Sequence, residues 1–234
     1  MSKSAKGSGP ACAACGLPMR QRLCMDPQDG KAAKGCPTAR KGTTLEQANQ
    51  AYAQQPLREF ARQASLQEAA CYQNRHQRPY TMQPSKTRIV EICEFARRMG
   101  YQRLGLAFCI GLAGEAELVA QIFQDQGFAV VSAACKAGGT PKEFLDLADA
   151  DKIYQGGFES MCNPVYQARL LAEAGAEFNV LLGLCVGHDS LFFMHAAAPT
   201  TVLAVKDRVT GHNPLAAIYT SATYYRKIRD PELG

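Results

Sequence analysis

The sequence predicts an α/β protein with a small three-layer, mostly parallel (Rossmann-like) sheet, preceded by helices and by an N-terminal cysteine-rich metal knuckle. Three observations lead to this prediction. Apolar, strand-like runs alternate with helical segments after residue 100, which is typical of a parallel sheet. Helices are expected to end at Gly100, Gly127 and Gly175, because glycine allows a left-handed cap. An apolar run follows each glycine within a few residues, as in the short loops of α/β units.

The sheet is predicted to contain four strands joined by helices through right-handed crossovers. We expect these strands near residues 103–108, 128–134, 179–184 and 201–205. A further short strand at Lys152–Tyr154 is an alternative. Thr140-Pro-Lys-Glu143 combines a capping box with a proline suited to the first helical turn, and Asn163-Pro164 makes a similar helix start.

Helices are also predicted before the sheet. Helical periodicity begins near Leu45, and apolar positions from 57 to 72 and from 89 to 99 recur at helical spacing. Residues 73–84 are polar and contain two prolines, so we expect a loop there. Residues 44–100 therefore form a helical lead-in to the α/β domain.

The chain is long enough for one domain and a small appendage. Its 234 residues are 47% hydrophobic and 20% charged, which is ordinary for a globular protein. We expect a basic four-cysteine segment at 1–42, in which 1–10 form a disordered tail, and an α/β domain at 43–234. No run approaches about 18 apolar residues, and the start lacks a secretory apolar region. A cytoplasmic protein without a membrane segment is therefore expected.

The positive charge is concentrated at the start of the chain. Residues 1–42 contain eight lysines and arginines and two aspartates, a net charge of +6, so the remainder carries −1 of the total of +5. A basic patch can bind nucleic acid, but no aromatic or base-reading element accompanies this one. Nucleic acid is therefore not the expected partner, and the cations also suit an anionic thiolate–metal site.

The start of the chain carries a metal-ligand pattern. Cys12 and Cys15 are separated by two residues, so that both sulfurs can reach one ion from a tight turn, and Cys24 and Cys36 can complete a four-sulfur shell. We expect a zinc ion or an iron–sulfur cluster here. The later spacings are irregular and do not match a symmetric zinc ribbon. Thiol redox chemistry, or no metal at all, is the remaining alternative.

Four more cysteines are expected at one edge of the sheet. Cys109, Cys135 and Cys185 each follow an apolar strand, and Cys162 opens a helix. Ligands bind at the carboxyl ends of parallel strands, so these four thiols are expected to share a cofactor, either a [4Fe–4S] cluster or zinc. The alternative is that they are core residues, because free cysteine is often buried. Cys71 and Cys93 lie on apolar helical faces and are interpreted as core.

Polar and flexible residues are predicted beside the same edge. Gly111 and Gly187 follow the strand cysteines and would let the backbone approach a bound group. His188 can orient a ligand or transfer a proton, and Asp189 is either functional or a helix cap. Lys206 follows the last strand and either holds an anionic substrate or belongs to a solvated charge cluster at the strand end. These three side chains are the candidates for catalysis.

The sequence also resembles a known family in four segments. They are Phe108–Leu112, Cys162–Pro164, Gly183–Leu191 and Val205–Pro214. They resemble the prokaryotic domain-of-unknown-function family numbered 1847, and the resemblance extends over nearly the whole chain. Members are commonly labelled metal-binding proteins, so the resemblance implies metal binding but no particular reaction.

Three functional hypotheses follow from these features. In the first, the protein is a metalloprotein that transfers electrons or supports small-molecule chemistry at its cluster, with a redox partner or a small-molecule ligand. In the second, it is a zinc-stabilised binding module without catalytic activity. In the third, Cys185 and His188 act as a nucleophile pair. Whether the protein is an enzyme, and its oligomeric state, stay open at this point.

Overall fold

The computed structural model describes residues 9–40 and 42–232, so most of the predicted disordered tail at 1–10 lies outside the described residues. The chain divides into two compact units between Arg62 and Gln63. This division lies inside a helix, whereas the boundary predicted at residue 42 was inferred from composition and stays a prediction. No helix among the described residues is long and apolar enough to cross a membrane.

Eight α-helices occur in the described residues. They are α1 (Pro37–Arg40), α2 (Thr43–Tyr52), α3 (Leu57–Ala70), α4 (Arg88–Met99), α5 (Ala113–Asp125), α6 (Pro164–Glu173), α7 (His188–His195) and α8 (Leu215–Tyr219). The predicted helical lead-in corresponds to α2–α4. Gly100, Gly127 and Gly175 all have positive φ angles at helix ends, as expected for left-handed caps.

The four predicted strands are present and pair in parallel. They are β1 (Arg103–Phe108), β2 (Ala129–Ala134), β3 (Phe178–Leu184) and β4 (Thr200–Val205). Their order across the sheet is β2-β1-β3-β4. The prediction of an α/β fold with a small parallel sheet is confirmed. From β1 the chain first adds β2 on one side and then crosses to add β3 and β4 on the other side. Such a switch point opens a crevice at the carboxyl ends of the strands.

Helices cover both faces of the sheet. On one face, Ala107 of β1 and Leu181 of β3 pack into a buried cluster with Leu171 of α6 and Phe192 of α7. On the other face, the ring of Phe178 lies 5.5 Å from that of Phe95 in α4. Successive strand residues point to opposite faces, so this alternation produces the three layers that the apolar runs predict.

The segment between β2 and α6 differs from the prediction. The capping-box sequence at Thr140–Glu143 starts only a 3₁₀ turn, Lys142–Leu145, and not an α-helix. The turn ends at Asp146, whose φ is +58°. Residues Lys152–Tyr154 form no strand, and the side chains of Ile153 and Tyr154 point into solvent. Side chains within this segment satisfy its backbone groups instead.

Residues 11–36 of the first unit contain little regular structure. The helical elements within this segment are two 3₁₀ turns, Cys12–Ala14 and Met19–Gln21. The guanidinium group of Arg22 donates to the carbonyl oxygens of Leu17 and Cys15, at 2.9 and 3.2 Å. Such a segment has almost no apolar core of its own.

Candidate functional site

Strand register places Cys109 and Cys135 side by side. Phe108 pairs with Ala134 of β2 and with Leu182 of β3, so the three strand ends are nearly level. One residue later, the Cys109 N–H donates to the Leu182 carbonyl at 3.1 Å, and the Cys135 N–H donates to the Phe108 carbonyl at 2.8 Å. The two cysteines therefore lie side by side at the carboxyl ends of the strands, and both side chains are buried in the hydrophobic cluster on this face of the sheet.

Cys162 reaches the same place through the start of α6. The N–H of Asn163 donates to the carbonyl oxygen of Cys135 at 2.8 Å. The Asn163 side chain accepts from the Tyr166 N–H and caps α6, which confirms the helix start predicted at Asn163-Pro164. Buried Gln167 donates to the carbonyl of Ala133 at 2.7 Å and fixes the helix against the strand ends. Cys162 is thus held next to Cys135 although it lies 27 positions later in the chain.

Three of the four thiols form a hydrogen-bonded chain. Cys109 bonds to Cys135, and this bond, together with burial, raises the pKa of Cys109 to about 12. Cys135 bonds in turn to Cys162, and this bond lowers the pKa of Cys162 to about 7, against the opposing effect of burial. For Cys135 itself, the bond with Cys109 lowers the pKa, but the bond with Cys162 and burial raise it further. The first proton therefore leaves from Cys162.

Cys185 completes the group from the end of β3. The Arg208 guanidinium donates to the Cys185 sulfur at 3.2 Å. This bond raises the pKa of Arg208, with further contributions from Cys109 and Cys162, so the cation faces three of the four thiols. The charge of Cys185 also acts on the pKa of Cys162. The four cysteines predicted at the sheet edge are therefore brought together in one crevice, which we call the thiol crevice.

Lys206 and Gly111 line the same crevice. A Cβ atom on Gly111 would lie 3.8 Å from the Lys206 Nζ and 3.9 Å from the Cys109 sulfur. The positive charge of Lys206 acts to lower the pKa of Cys109. The backbone N–H of Ile110 donates to the Cys135 sulfur at 3.3 Å. The crevice thus offers a cation and backbone N–H donors to anionic sulfur.

His188 and Asp189 occupy the first turn of α7. The Nδ1 atom of His188 is buried and has no hydrogen-bond partner among the described residues. Burial, with a contribution from Lys136, lowers the pKa of His188, so its imidazole is neutral near pH 7. Asp189 accepts the N–H of Ser190 at 2.8 Å, which suits a carboxylate at a helix start. Gly187 precedes them with a φ of +84°, and the space beside it is open.

The four N-terminal cysteines also converge. Cys12, Cys15, Cys24 and Cys36 all line one cavity of about 70 Å³. Cys36 stands before α1, and a hydrogen bond from the backbone of Ala39 lowers the pKa of Cys36. Lys31 and Lys34 line the same cavity and place positive charge around the sulfurs. The four cysteines of the N-terminal metal-ligand pattern thus share one cavity.

No group of three or more histidine, cysteine, aspartate or glutamate side chains in the described residues has the arrangement of a metal cage. In the thiol crevice the sulfurs are instead turned toward one another and toward N–H donors. All ten cysteines are free thiols. Cys71 and Cys93 are buried outside the crevice, as expected for core residues.

Sequence reasoning did not single out Lys136 as a site residue. Its ammonium group acts on the pKa values of both Cys162 and His188. Lys136 also forms an ion pair with Glu159 at 3.6 Å. A lysine directly after a strand-end cysteine is a signal that could have been used, but an isolated basic residue is common at strand ends.

Fold and site together define a cysteine-rich α/β protein with a flavodoxin-like strand order and a thiol crevice at its switch point. The model of a family described as "Protein of unknown function (DUF1847)" matches residues 36–203, and the chain belongs to this family. An uncharacterized protein of Methanocaldococcus jannaschii is 48% identical over 142 residues, which cover 61% of this chain and 70% of that protein. The family match includes all four crevice cysteines, whereas Cys12, Cys15 and Cys24 precede it.

Proposed function

We propose that this protein binds metal at two places, with an iron–sulfur cluster of the [4Fe–4S] type in the thiol crevice as its functional centre. The observation that carries the proposal is the meeting of Cys109, Cys135, Cys162 and Cys185 at the strand ends, with hydrogen-bond or charge interactions linking all four. Four thiolates are the ligand set of such clusters. A crevice at a switch point is also where α/β sheets bind their ligands.

The surroundings of the crevice suit an anionic centre. A cluster with four thiolates carries negative charge, and Arg208 and Lys206 supply positive charge beside it. The Ile110 N–H already donates to sulfur, and such hydrogen bonds tune iron–sulfur centres. Binding requires deprotonated thiols, so a metal must displace the protons that now link the three sulfurs. The side chains would then turn from one another toward the centre.

The centre would supply electron transfer or a binding position for a small molecule. The neutral imidazole of His188 lies beside the crevice with Nδ1 unpaired, and is suited to orient such a molecule or to move a proton. Lys206 is suited to hold an anionic group. A redox partner protein or a small-molecule ligand is therefore part of the proposal.

Anaerobic purification tests this function. The protein should contain iron and acid-labile sulfide in about equal amounts, near four of each per chain, and absorb visible light. A colourless protein that takes up neither iron nor sulfide after anaerobic reconstitution would contradict the proposal. Zinc analysis of the same sample distinguishes the alternative, in which zinc alone stabilises a binding module without catalytic activity.

The N-terminal cavity is proposed to hold zinc. Its four cysteines come from turns and a helix start within 25 residues, and the segment has no apolar core of its own. A four-sulfur zinc site contributes folding free energy to such segments. An iron–sulfur cluster fits the same ligands, and the metal analysis above distinguishes the two.

A second candidate function is thiol chemistry, and it is favoured by the position of Cys162 in the thiol chain. The earlier pair of Cys185 and His188 gains no support, since His188 Nδ1 makes no hydrogen bond among the described residues. Cys162 is instead the most acidic of the bonded thiols, with a pKa of about 7. A half-buried thiolate with a thiol neighbour is suited to attack a disulfide or an electrophile.

Alkylation of the metal-free, reduced protein checks this candidate. At pH 7 about half of Cys162 is thiolate, against about one part in 10⁵ of Cys109, so iodoacetamide should modify Cys162 at least about 100-fold faster. The rate should fall about tenfold per pH unit below pH 6. Mass spectrometry of quenched digests measures both rates. Cys135→Ala should slow the reaction of Cys162, and an unchanged rate would show that the hydrogen bond does not activate this thiol.

A further inference from the structure

In the loop at residues 141–160, Glu159 and the two lysines are turned inward, whereas the large apolar side chains are exposed. Its base is closed by a bridge between Pro141 and Ser160, and the Lys142 N–H donates to the Glu159 carbonyl at 3.0 Å. The loop follows β2 and precedes α6, and it contains no α-helix or strand. Its conformation must therefore be fixed by side chains.

Glu159 is the centre of the loop. Only 5% of this residue is exposed, and its carboxylate pairs with Lys142 at 2.9 Å and with Lys136 at 3.6 Å. The same carboxylate accepts the N–H groups of Ile153 and Tyr154 at 2.8 and 3.2 Å. The bond from Lys142 lowers the pKa of Glu159 to about 2, so the carboxylate is ionised at neutral pH. The buried carboxylate thus fixes the backbone at Ile153 and Tyr154 against the base of the loop.

A second ion-pair group holds the tip of the loop. The Lys152 ammonium pairs with Asp149 at 3.3 Å and also with Glu143, and it donates to the Gly157 carbonyl at 3.0 Å. The Asp149 carboxylate accepts the Gly156 N–H at 2.8 Å. The Lys152 side chain is only 6% exposed. The loop is therefore a fixed surface held by several charged contacts.

The outside of this loop is apolar. Phe144 is 72% exposed, and Ile153, Tyr154 and Phe158 are each 70% exposed. Leu145 is also exposed. Five large apolar side chains on one loop of 20 residues exceed the scattered single residues that are normal on a surface. Nothing in the fold requires them, because the loop is held by its charges.

The exposed charges of the loop are acidic. The loop contains five carboxylates and two lysines, a net charge of −3. Both lysines are turned inward, whereas Glu143, Asp146, Asp149 and Asp151 are exposed. The apolar side chains are thus accompanied by negative charge only, in a protein whose total charge is +5.

We propose that the 141–160 loop is a docking surface for a separate protein that presents an apolar face flanked by lysine or arginine. Apolar contact would provide the affinity, and the acidic residues would select a basic partner and exclude acidic ones. A second copy with the same acidic loop would be repelled in a symmetric contact. The loop starts six residues after Cys135 and ends two residues before Cys162, so docking would take place beside the thiol crevice.

A synthetic peptide tests the proposal without requiring the metal. The probe is an amphipathic helix with a leucine face, flanking lysines and one tryptophan; the full chain has no tryptophan, so the peptide's fluorescence reports binding. The lysine peptide should bind at least about tenfold more tightly than an otherwise identical glutamate peptide at low salt. Added salt should reduce this difference.

Two variants decide where the peptide binds. Phe144→Ser with Phe158→Ser should weaken binding by about tenfold or more, and the fold should survive because both rings are exposed. Met194→Ser, which changes a side chain that is 74% exposed outside the loop, should leave the Kd unchanged. Equal binding of both peptides, or binding that ignores the phenylalanine changes, would overturn the proposal. A wild-type dimer in sedimentation that the double variant dissociates would assign the surface to a second copy and overturn it as well.

Discussion

Gly183→Ala is expected to destabilise the metal-free protein by about 3 kcal/mol, a large fraction of the stability of an ordinary domain. Gly183 lies inside β3 with a φ of +66°, where any other residue is strained. An added Cβ atom would overlap Leu112 Cδ1, and Leu112 is itself only 4% exposed. The pairing of β3 with β4 is irregular at this point. The glycine therefore allows the irregular backbone of β3 just before Cys185. Alanine would disturb the strand and, with it, the position of Cys185 in the thiol crevice.

Urea unfolding under reducing conditions measures this effect, with Gly114→Ala as the matched control. Gly114 lies in α5 with a normal φ and nothing within 4 Å of an added Cβ atom. Alanine should leave stability unchanged there or raise it by up to about 1 kcal/mol, because it is the better helix former. Equal unfolding midpoints for the two variants would show that the bend at Gly183 is not needed.

Cys135→Ser is expected to remove the proposed cluster completely and to leave the N-terminal metal in place. Cys135 is bonded to both Cys109 and Cys162, so it is central among the four thiols. Serine keeps the shape of the side chain but not a sulfur ligand, and a cluster held by four thiolates loses affinity strongly when one is removed. Iron content should fall from about four per chain to below one, and the visible absorption should disappear.

The reciprocal variant separates the two sites. Cys15→Ser should abolish zinc binding at the cavity of residues 11–38 and leave the iron content unchanged. Cys93→Ala, which changes a buried thiol outside both sites, should leave both metals in place. Full iron content in Cys135→Ser would contradict the ligand assignment. Loss of iron in Cys93→Ala as well would indicate that the variants act through folding and not through ligation.

The sheet and the meeting of its cysteines were predictable for one physical reason. Parallel strands connected by helices end at the same edge, so residues that follow them in sequence become neighbours in space. Apolar runs ending at Cys109, Cys135 and Cys185 therefore located the crevice in advance. The bounds of β1, Arg103–Phe108, are those predicted.

The 141–160 loop was predicted wrongly because its conformation depends on pairs that local patterns do not reveal. The capping box at Thr140–Glu143 indicates a helix, yet the Glu143 carboxylate pairs with Lys152 and only a 3₁₀ turn forms. Ile153 and Tyr154 have strand propensity, but Glu159 accepts their N–H groups. Buried ion pairs between distant residues outweighed local propensity.

By itself, the sequence determined the class of fold, the order of its elements and the edge at which the thiols collect, because hydrophobic periodicity and glycine caps act locally. Only the tertiary structure decided which thiol bonds to which, and hence that the pKa of Cys162 falls to about 7 and that of Cys109 rises to about 12. It also decided that Arg208 faces the sulfurs and that the lysines of the 141–160 loop turn inward. These outcomes depend on distance and burial, and the pKa of a group follows its surroundings in space and not its place in the chain.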